Sequence, residues 1–368
     1  MVQGAETGTD LIRLAWPDLG PEELAAIAEV AESGFLTMGP KVEQFERGLA
    51  AACGTGDAVV VSSGTAALHL AVLALGIGEG DEVIVPAYTF PSTANAVVLA
   101  GATPVLVDVD PSTMNVDAAE IYDAVTDRTR AVIAVHLFGR PVDWEAVQSA
   151  VPPDVVLIED AAGALGARWR GMPCGGLGTL ACLSFHPRKV VTTGEGGAVT
   201  TSDAALAASL RRLRHHGIDV DGGADIARPS TNYRLSDLQC AIGITQLARL
   251  DDLLRERRRV AEAYTERLAA VRGVRVPSAD DEDEHGWQAY VVQVDRRDDV
   301  LAGLRAHGIE AQIGTYALHR LSAYRDERRF PSADLCFERA LALPLHSRLS
   351  DADLDRVVEA LDKEVSNH

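Results

Sequence analysis

The stretch Ser184–Gly197, SFHPRKVVTTGEGG, decides how this chain is read. It joins two apolar runs, Thr179–Phe185 and Ala198–Thr201, that read as strands. At its centre is Lys189, one of only three lysines (Lys41, Lys189, Lys363) among 34 basic residues. An arginine keeps its proton at working pH and cannot serve as an amine nucleophile. A lysine can lose its proton once desolvation or nearby charge lowers its pKa. An apolar, glycine-rich setting therefore suits a lysine that condenses with a carbonyl. Spacing alone equally allows a solvated loop lysine beside Arg188, so the rest of the chain has to decide.

Upstream, the apolar run Ala58–Val61 leads into Ser62, Ser63, Gly64 and Thr65 and then the helical stretch AALHLAVLAL. Strand, small-residue turn and helix start together present free backbone N–H groups and hydroxyls to a phosphate. The same SSGT can also be an ordinary helix cap. Further apolar runs follow at Glu82–Val85, Pro104–Val107, Ala131–Val135 and Val155–Ile158, alternating with helical stretches such as Ser92–Leu99 and Asp143–Ala150. Continuous apolar strands alternating with helices predict an α/β fold with a mainly parallel sheet covered on both faces. Ligands of such sheets bind at the carboxyl ends of the strands. Ser62, Thr65, Asp160 and Ser184 all fall at or just beyond such ends, and Lys189 follows shortly after. No GxGxxG follows the first strand, which disfavours a dinucleotide.

At the N-terminus, residues 1–12 read as frayed, and two helices follow. Pro21–Ser33 carries Leu24, Ile27, Ala28 and Ala31 at helical spacing, and Val42–Cys53 carries Phe45 and Leu49; the loop GFLTMGP separates them. Downstream, Asp203–His216 reads as a helix and 217–231 as a loop. One long helix is expected from Ser236, its N-cap, to about Val271, with Gly243 marking a close packing contact. The remainder, with strands at Ala289–Val294 and Ile309–Ile313 and helices at Arg297–His307, Ser332–Ala342 and Asp351–Val365, predicts a smaller α+β domain. The expected division is 1–250 and 251–368.

The net charge of −20 disfavours nucleic acid and anionic membrane as partners. No apolar run approaches a membrane span. The acidic start MVQGAETGTD does not read as a secretory signal, so a cytoplasmic location is expected. Five scattered cysteines with no CxxC pair predict neither a disulfide framework nor a metal site. The arginine runs at 211–214 and 255–259 suit solvated helix faces or a local anion site, and 280–284, DDEDE, an acidic loop.

An amine, a phosphate cradle and a carboxylate together describe the needs of pyridoxal phosphate. The lysine bonds the aldehyde, the cradle holds the phosphate, and an Asp keeps the pyridine nitrogen protonated. Asp160, ending an apolar strand, could be that carboxylate or the N-cap of a helix at Ala161–Ala162. Phe90, also at a strand end, could cover the ring or belong to the core.

The motifs SSGTAALHLA, PAYTFPSTANAV, EDAAGALGA, SFHPRKVVTTGEGGAV and NYRLSDLQCAIG, in that order, resemble the DegT/DnrJ/StrS family of sugar aminotransferases, which are fold-type-I pyridoxal phosphate enzymes. The likeness runs from about Pro17 to Leu361. It implies that Lys189 bonds the cofactor and shuttles the proton, and that Asp160 pairs with the pyridine nitrogen. It implies that Gly64, Thr65 and Ser184 bind the phosphate and that Phe90 stacks on the ring. Asn232 would reach the cofactor phosphate of a neighbouring subunit, which implies a homodimer with shared active sites. His319 and the GFLTMGP loop, with Phe35, match segments near the sugar. The chain departs from the family pattern at Gly163, where a Gln or His often contacts the ring hydroxyl, and at Val190, which replaces a common Asn. The implied reaction moves an amino group from glutamate to a nucleotide-linked keto-deoxysugar, with a dTDP-linked 4-keto-6-deoxyhexose expected. A glutamine-dependent aminotransferase of keto-cyclitols or aminobenzoate-type precursors shares these motifs. A non-catalytic sugar-nucleotide sensor would have no need of Lys189 and Asp160, and a desulfurase of the same fold would need a cysteine in a catalytic loop.

Overall fold

The computed structural model describes residues 11–219, 225–226, 228–277 and 282–366. Residues 1–10 and parts of the loops expected at 217–231 and 280–284 lie outside that range. Ile12, expected to be frayed, is instead 5% exposed and pinned to the C-terminal part of the chain. Its N–H donates to Gly308 O (2.9 Å), and its carbonyl accepts from Glu310 N (2.8 Å).

A seven-stranded sheet organises the first two thirds of the chain. Its spatial order is Asp57–Val61, Gly197–Thr201, Leu180–Ser184, Val156–Asp160, Thr129–Val135, Glu82–Pro86 and Thr103–Val107. Only Gly197–Thr201 runs against the others, pairing antiparallel with Asp57–Val61 on one side and Leu180–Ser184 on the other. The other six strands share one direction, and their carboxyl ends lie along one edge. The reversed strand brings its amino end, Gly197, to the same edge, opposite Val61 and Ser184. The apolar runs that predicted these strands are buried almost throughout, between helices on both faces.

A second core lies in the C-terminal part, built around the four-stranded sheet Val274–Arg275, Tyr290–Val294, Ala340–Leu343, Gln312–Ile313. Its residues run from Val260 to Leu361 and include Ile12. We propose the division 1–250 and 251–368 on that basis. The two parts are stitched together where Tyr316–Ala317 pairs antiparallel with Tyr88–Thr89.

Three local expectations are corrected. The single helix expected over 236–271 is two, Asp237–Ala248 and Leu250–Leu268, broken at Arg249 (φ −107°, ψ 15°). The Arg249 guanidinium there donates to Asp18 O (2.8 Å) and Glu23 Oε1 (3.2 Å), tying the break to the N-terminal segment. Residues 340–342, expected as helix, belong to the strand Ala340–Leu343, inside the second sheet; the helix before it is Pro331–Arg339. The apolar spacing in Pro21–Ser33 faces outward: Leu24 is 70% exposed, while Glu23 is buried, bonded to Gln246 and Arg249.

Candidate active site

At Ser62–Thr65, where the sequence leads one to expect a phosphate cradle, the backbone is closely approached by its neighbours. The helix Gly64–Ala74 starts at Ser63, whose Oγ accepts from Ala66 N (3.1 Å) while its carbonyl accepts from Ala67 N (3.0 Å). The N–H groups of Gly64 and Thr65 are left unclaimed among the described residues, at the positive end of the helix. Ser63 is thus a cap, and the cap leaves two donors free. Ser184, at the end of its strand, presses against this turn: a Cβ on Gly64 would lie 2.8 Å from the Ser184 Cβ. A Cβ on Gly197 would lie 2.5 Å from the Ser63 carbonyl and 2.7 Å from Gly64 N, so only glycine fits there.

Asp160 ends its strand in a buried position, and no α-helix begins at Ala161–Ala162. Its Oδ2 accepts from the Thr93 hydroxyl (2.8 Å) and its Oδ1 from Ala162 N (3.2 Å). Thr93 Oγ1 is in turn 3.2 Å from Thr89 Oγ1. A Thr93 that donates to Asp160 must accept from Thr89, so two hydroxyls are lined up on one carboxylate. Burial pushes the Asp160 carboxyl above its usual range; Thr93, Ala162, Lys189 and His136 oppose that shift.

Lys189 follows a turn in which its N–H donates to His186 O (2.8 Å). Its side chain is half-buried, and desolvation lowers its pKa to about 8. The Asp160 charge pulls that value up, while Arg188 and Arg257 push it down. Lys189 and Asp160 therefore act on one another: the structure brings the amine and the carboxylate to one site at the sheet edge.

Phe90 stands beyond the stitched strand pair, 60% exposed, its ring edge-on to Tyr316 at 6.1 Å. His319 lies on the turn just after that pair, with Leu318 N donating to Ala87 O (2.7 Å). Its Nε2 is 2.9 Å from Asp334 Oδ1, its ring lies against Phe330 at 4.8 Å, and its buried Nδ1 has no partner. Phe35 is 63% exposed on the loop between the first two helices. Asn232 is exposed, its Oδ1 accepting from Arg234 N (3.3 Å). Gln288 packs beside Gly163: a Cβ there would be in ordinary contact with Gln288 Cβ, Cγ and Oε1, each at 3.5 Å. Residue-by-residue reading gave Gln288 no role, because nothing local marks a residue that reaches across from position 288 to position 163.

The sequence reading also missed His136 and Glu159. Both are fully buried, and Glu159 accepts from His136 Nε2 (3.0 Å) and from the N–H groups of Gly175 (2.7 Å), Leu177 (2.7 Å) and Gly178 (2.8 Å). His136 Nδ1 accepts from Val142 N (3.0 Å), so the ring proton sits on Nε2 and faces Glu159. This fixes the loop behind the strand that carries Asp160.

The geometry suits a group with a phosphate, an aldehyde and a basic ring nitrogen. The two unclaimed N–H groups and Ser184 answer an anion, the amine answers a carbonyl, and the buried Asp160 calls for a cation. Comparison with known proteins agrees. Residues 17–362 match the model of the DegT/DnrJ/EryC1/StrS aminotransferase family. The chain is 40% identical over 365 residues to GDP-perosamine synthase of Caulobacter vibrioides, covering 96% of this chain and 98% of that protein. It is 35% identical to the aminotransferase TlmJ of Streptoalloteichus hindustanus, with a TM-score of 0.93 and coverage of 97% and 99%. It is 37% identical to DesV of S. venezuelae, with a TM-score of 0.89 and coverage of 93% and 94%. The protein belongs to the DegT/DnrJ/EryC1/StrS aminotransferase family, whose members depend on pyridoxal phosphate.

Proposed function

We propose that the protein transfers an amino group from glutamate to a 4-keto-6-deoxyhexose carried on a nucleoside diphosphate. The observation that carries this reading is the pairing of a half-buried, pKa-lowered Lys189 with the buried Asp160, beside the unclaimed N–H groups of Gly64 and Thr65. Pyridoxal phosphate, when bound, supplies an electron sink that acidifies the carbon bearing the transferred nitrogen. Asp160 sustains the positive ring nitrogen. Gly64, Thr65 and Ser184 hold the phosphate, and Phe90 covers one face of the ring. Lys189 Nζ would carry the proton between the substrate carbon and the cofactor's C4′ carbon, away from the donor in one half and onto the acceptor in the other, which its lowered pKa suits.

His319 and Phe35 lie toward the sugar, and Asn232 serves the site of a second copy in a homodimer. The apolar residues left in the open support a partner surface: Leu24 and Leu36 are each more than half exposed. The dTDP carrier expected from the sequence is one candidate. GDP is the other, because a 40% identical relative is a GDP-perosamine synthase.

The test is amination assayed by mass spectrometry. Purified holoenzyme would be given glutamate or glutamine with dTDP- and GDP-linked 4-keto-6-deoxyhexoses and a keto-cyclitol. An amino sugar formed from either nucleotide-linked ketone, with glutamate as donor, is the expected result. Amination of the keto-cyclitol alone would replace this reading with its rival. Failure of every ketone to discharge the aminated cofactor in a single turnover would point to a sensor.

A further inference from the structure

An amino-acid donor carries its amine and its α-carboxylate on the same carbon. A site that accepts the amine beside Lys189 must therefore seat a carboxylate a few ångströms away. In this chain the Arg214 guanidinium, near the sheet edge, is already matched by Glu46. Two guanidinium groups lie near Lys189: that of Arg188, its neighbour in the chain, and that of Arg257, which donates to the Lys189 carbonyl (3.3 Å). Arg257 is buried and its donors go to backbone carbonyls: Trp287 O (3.1 Å), Gln288 O (3.3 Å) and Lys189 O (3.3 Å). It is a strut between loops.

Arg188 differs. Its side chain is exposed, its bond goes from Nη1 to the neutral amide oxygen of Gln312, and no carboxylate pairs with it among the described residues. It lines a cavity of about 80 Å³ where the loops of the large sheet meet the edge strand Gln312–Ile313 of the small one. Gln288 and Gln312 face the same cavity, and its other walls, among them Leu14, Phe138 and Ile313, are apolar. Gln288 Nε2 donates to Arg188 O (3.3 Å), which fixes the amide beside the arginine. The space suits a carboxylate-sized group and is far too small for a nucleoside. An unneutralised guanidinium in a partly apolar wall favours an anion, and its fork matches the two oxygens of a carboxylate.

We infer that Arg188, flanked by the amides of Gln288 and Gln312, is the subsite for the α-carboxylate of an amino-acid donor. The inference rests on the amino-acid-dependent half of the function proposed above. On binding, the carboxylate takes over guanidinium donors, and the Gln312 amide is free to turn toward it. Gln288, which lines the cavity, also lies against Gly163, three residues after Asp160, and joins the subsite to the candidate site.

The test uses holoenzyme and two amines, whose binding is followed through the absorbance of the bound cofactor before any turnover. 2-Methylglutamate has the α-carboxylate but no α-hydrogen; 4-aminobutyrate lacks the α-carboxylate. For Arg188→Ala, the Kd of 2-methylglutamate should rise about tenfold or more, while that of 4-aminobutyrate changes less than about twofold. Arg188→Lys, which keeps the charge but not the fork, should fall between. Unchanged affinity for 2-methylglutamate in Arg188→Ala overturns the subsite, and so does an equal loss for both amines. A wild-type protein that responds to neither amine sinks the amino-acid-donor reading itself, a different outcome from a responsive wild type with an indifferent variant.

Discussion

Glu159 and Asp160 are neighbours in one strand, and a strand turns neighbours to opposite faces. Glu159 goes to the back, where three loop N–H groups and His136 consume it; Asp160 goes to the front, with Thr93 and within reach of Lys189. Strand geometry thus separates two adjacent carboxylates, giving Glu159 a structural role and leaving Asp160 for the chemical one proposed above. The Thr93 hydroxyl opposes the burial that would protonate Asp160. Thr93→Val should therefore weaken cofactor retention by about tenfold, the worth of one hydrogen bond to a charged group; equilibrium dialysis of the cofactor would measure it. Lys189 makes a second prediction, for the cofactor-free protein. Its pKa is about 8 when folded and 10.5 by reference, so between those values the unfolded chain holds a proton that the folded chain lacks. Stability then rises with pH across that window, and below it the cost of burying the ammonium is present in full. Lys189→Met removes this cost. The variant should be more stable than wild type at pH 7, with the advantage shrinking toward pH 10.5, as read by thermal melts. An advantage that stays constant would mean that Lys189 is not desolvated.

At the scale of elements, the helix Asp237–Ala248 lies against the helix Pro40–Cys53 with almost no gap. A Cβ on Gly243 would come within 2.4 Å of the ring of Phe45, which is fully buried and packs on Phe185 at 5.1 Å. Two effects compete in Gly243→Ala: helix propensity gains about 1 kcal/mol, and overpacking costs about 1–3 kcal/mol. Because the obstacle is a ring with no free space, the second should win, and urea unfolding should show a net loss. This contact was legible in the sequence, since a glycine inside a strong helix needs a packing reason. The break at Arg249 was not, because Ala248, Arg249 and Leu250 all favour helix. Its cause is the bond from the arginine to Asp18 and Glu23, more than two hundred residues away. The strand Ala340–Leu343 escaped for a similar reason: ALAL is good helix sequence, and only pairing with Tyr290–Val294 and Gln312–Ile313 makes it a strand. The strands of the large sheet were readable because burial on both faces leaves continuous apolar runs. The reversal of Gly197–Thr201 was not, since strand direction depends on the partner and not on the residues of the strand.

Over the whole molecule, several strands end along a single edge, and that edge collects residues from position 62 to position 189. The proposed pair Lys189 and Asp160 and the turn at Ser62–Thr65 could be found in the sequence because polar residues interrupt apolar runs there. Gln288 and Arg188 could not, because their relation to Gly163 and Gln312 exists only once the C-terminal part is docked. What one copy of the chain leaves undone concerns Asn232, whose exposed side-chain oxygen accepts from Arg234 N within its own loop. If two copies share their sites, the Asn232 that serves one Lys189 belongs to the other copy. Lys189→Ala and Asn232→Ala proteins would each be weak alone, the first losing the visible absorbance of bound cofactor and the second retaining cofactor poorly. Unfolded together and refolded as an equal mixture, half the dimers are hybrids. In each hybrid one site carries both lesions and the other carries neither. Amination should then recover to about a quarter of the wild-type value, as symmetry requires when every site is shared across a twofold interface. If each site were complete within one chain, every site in the hybrids would carry one lesion, and mixing would give no more than the average of the two variants.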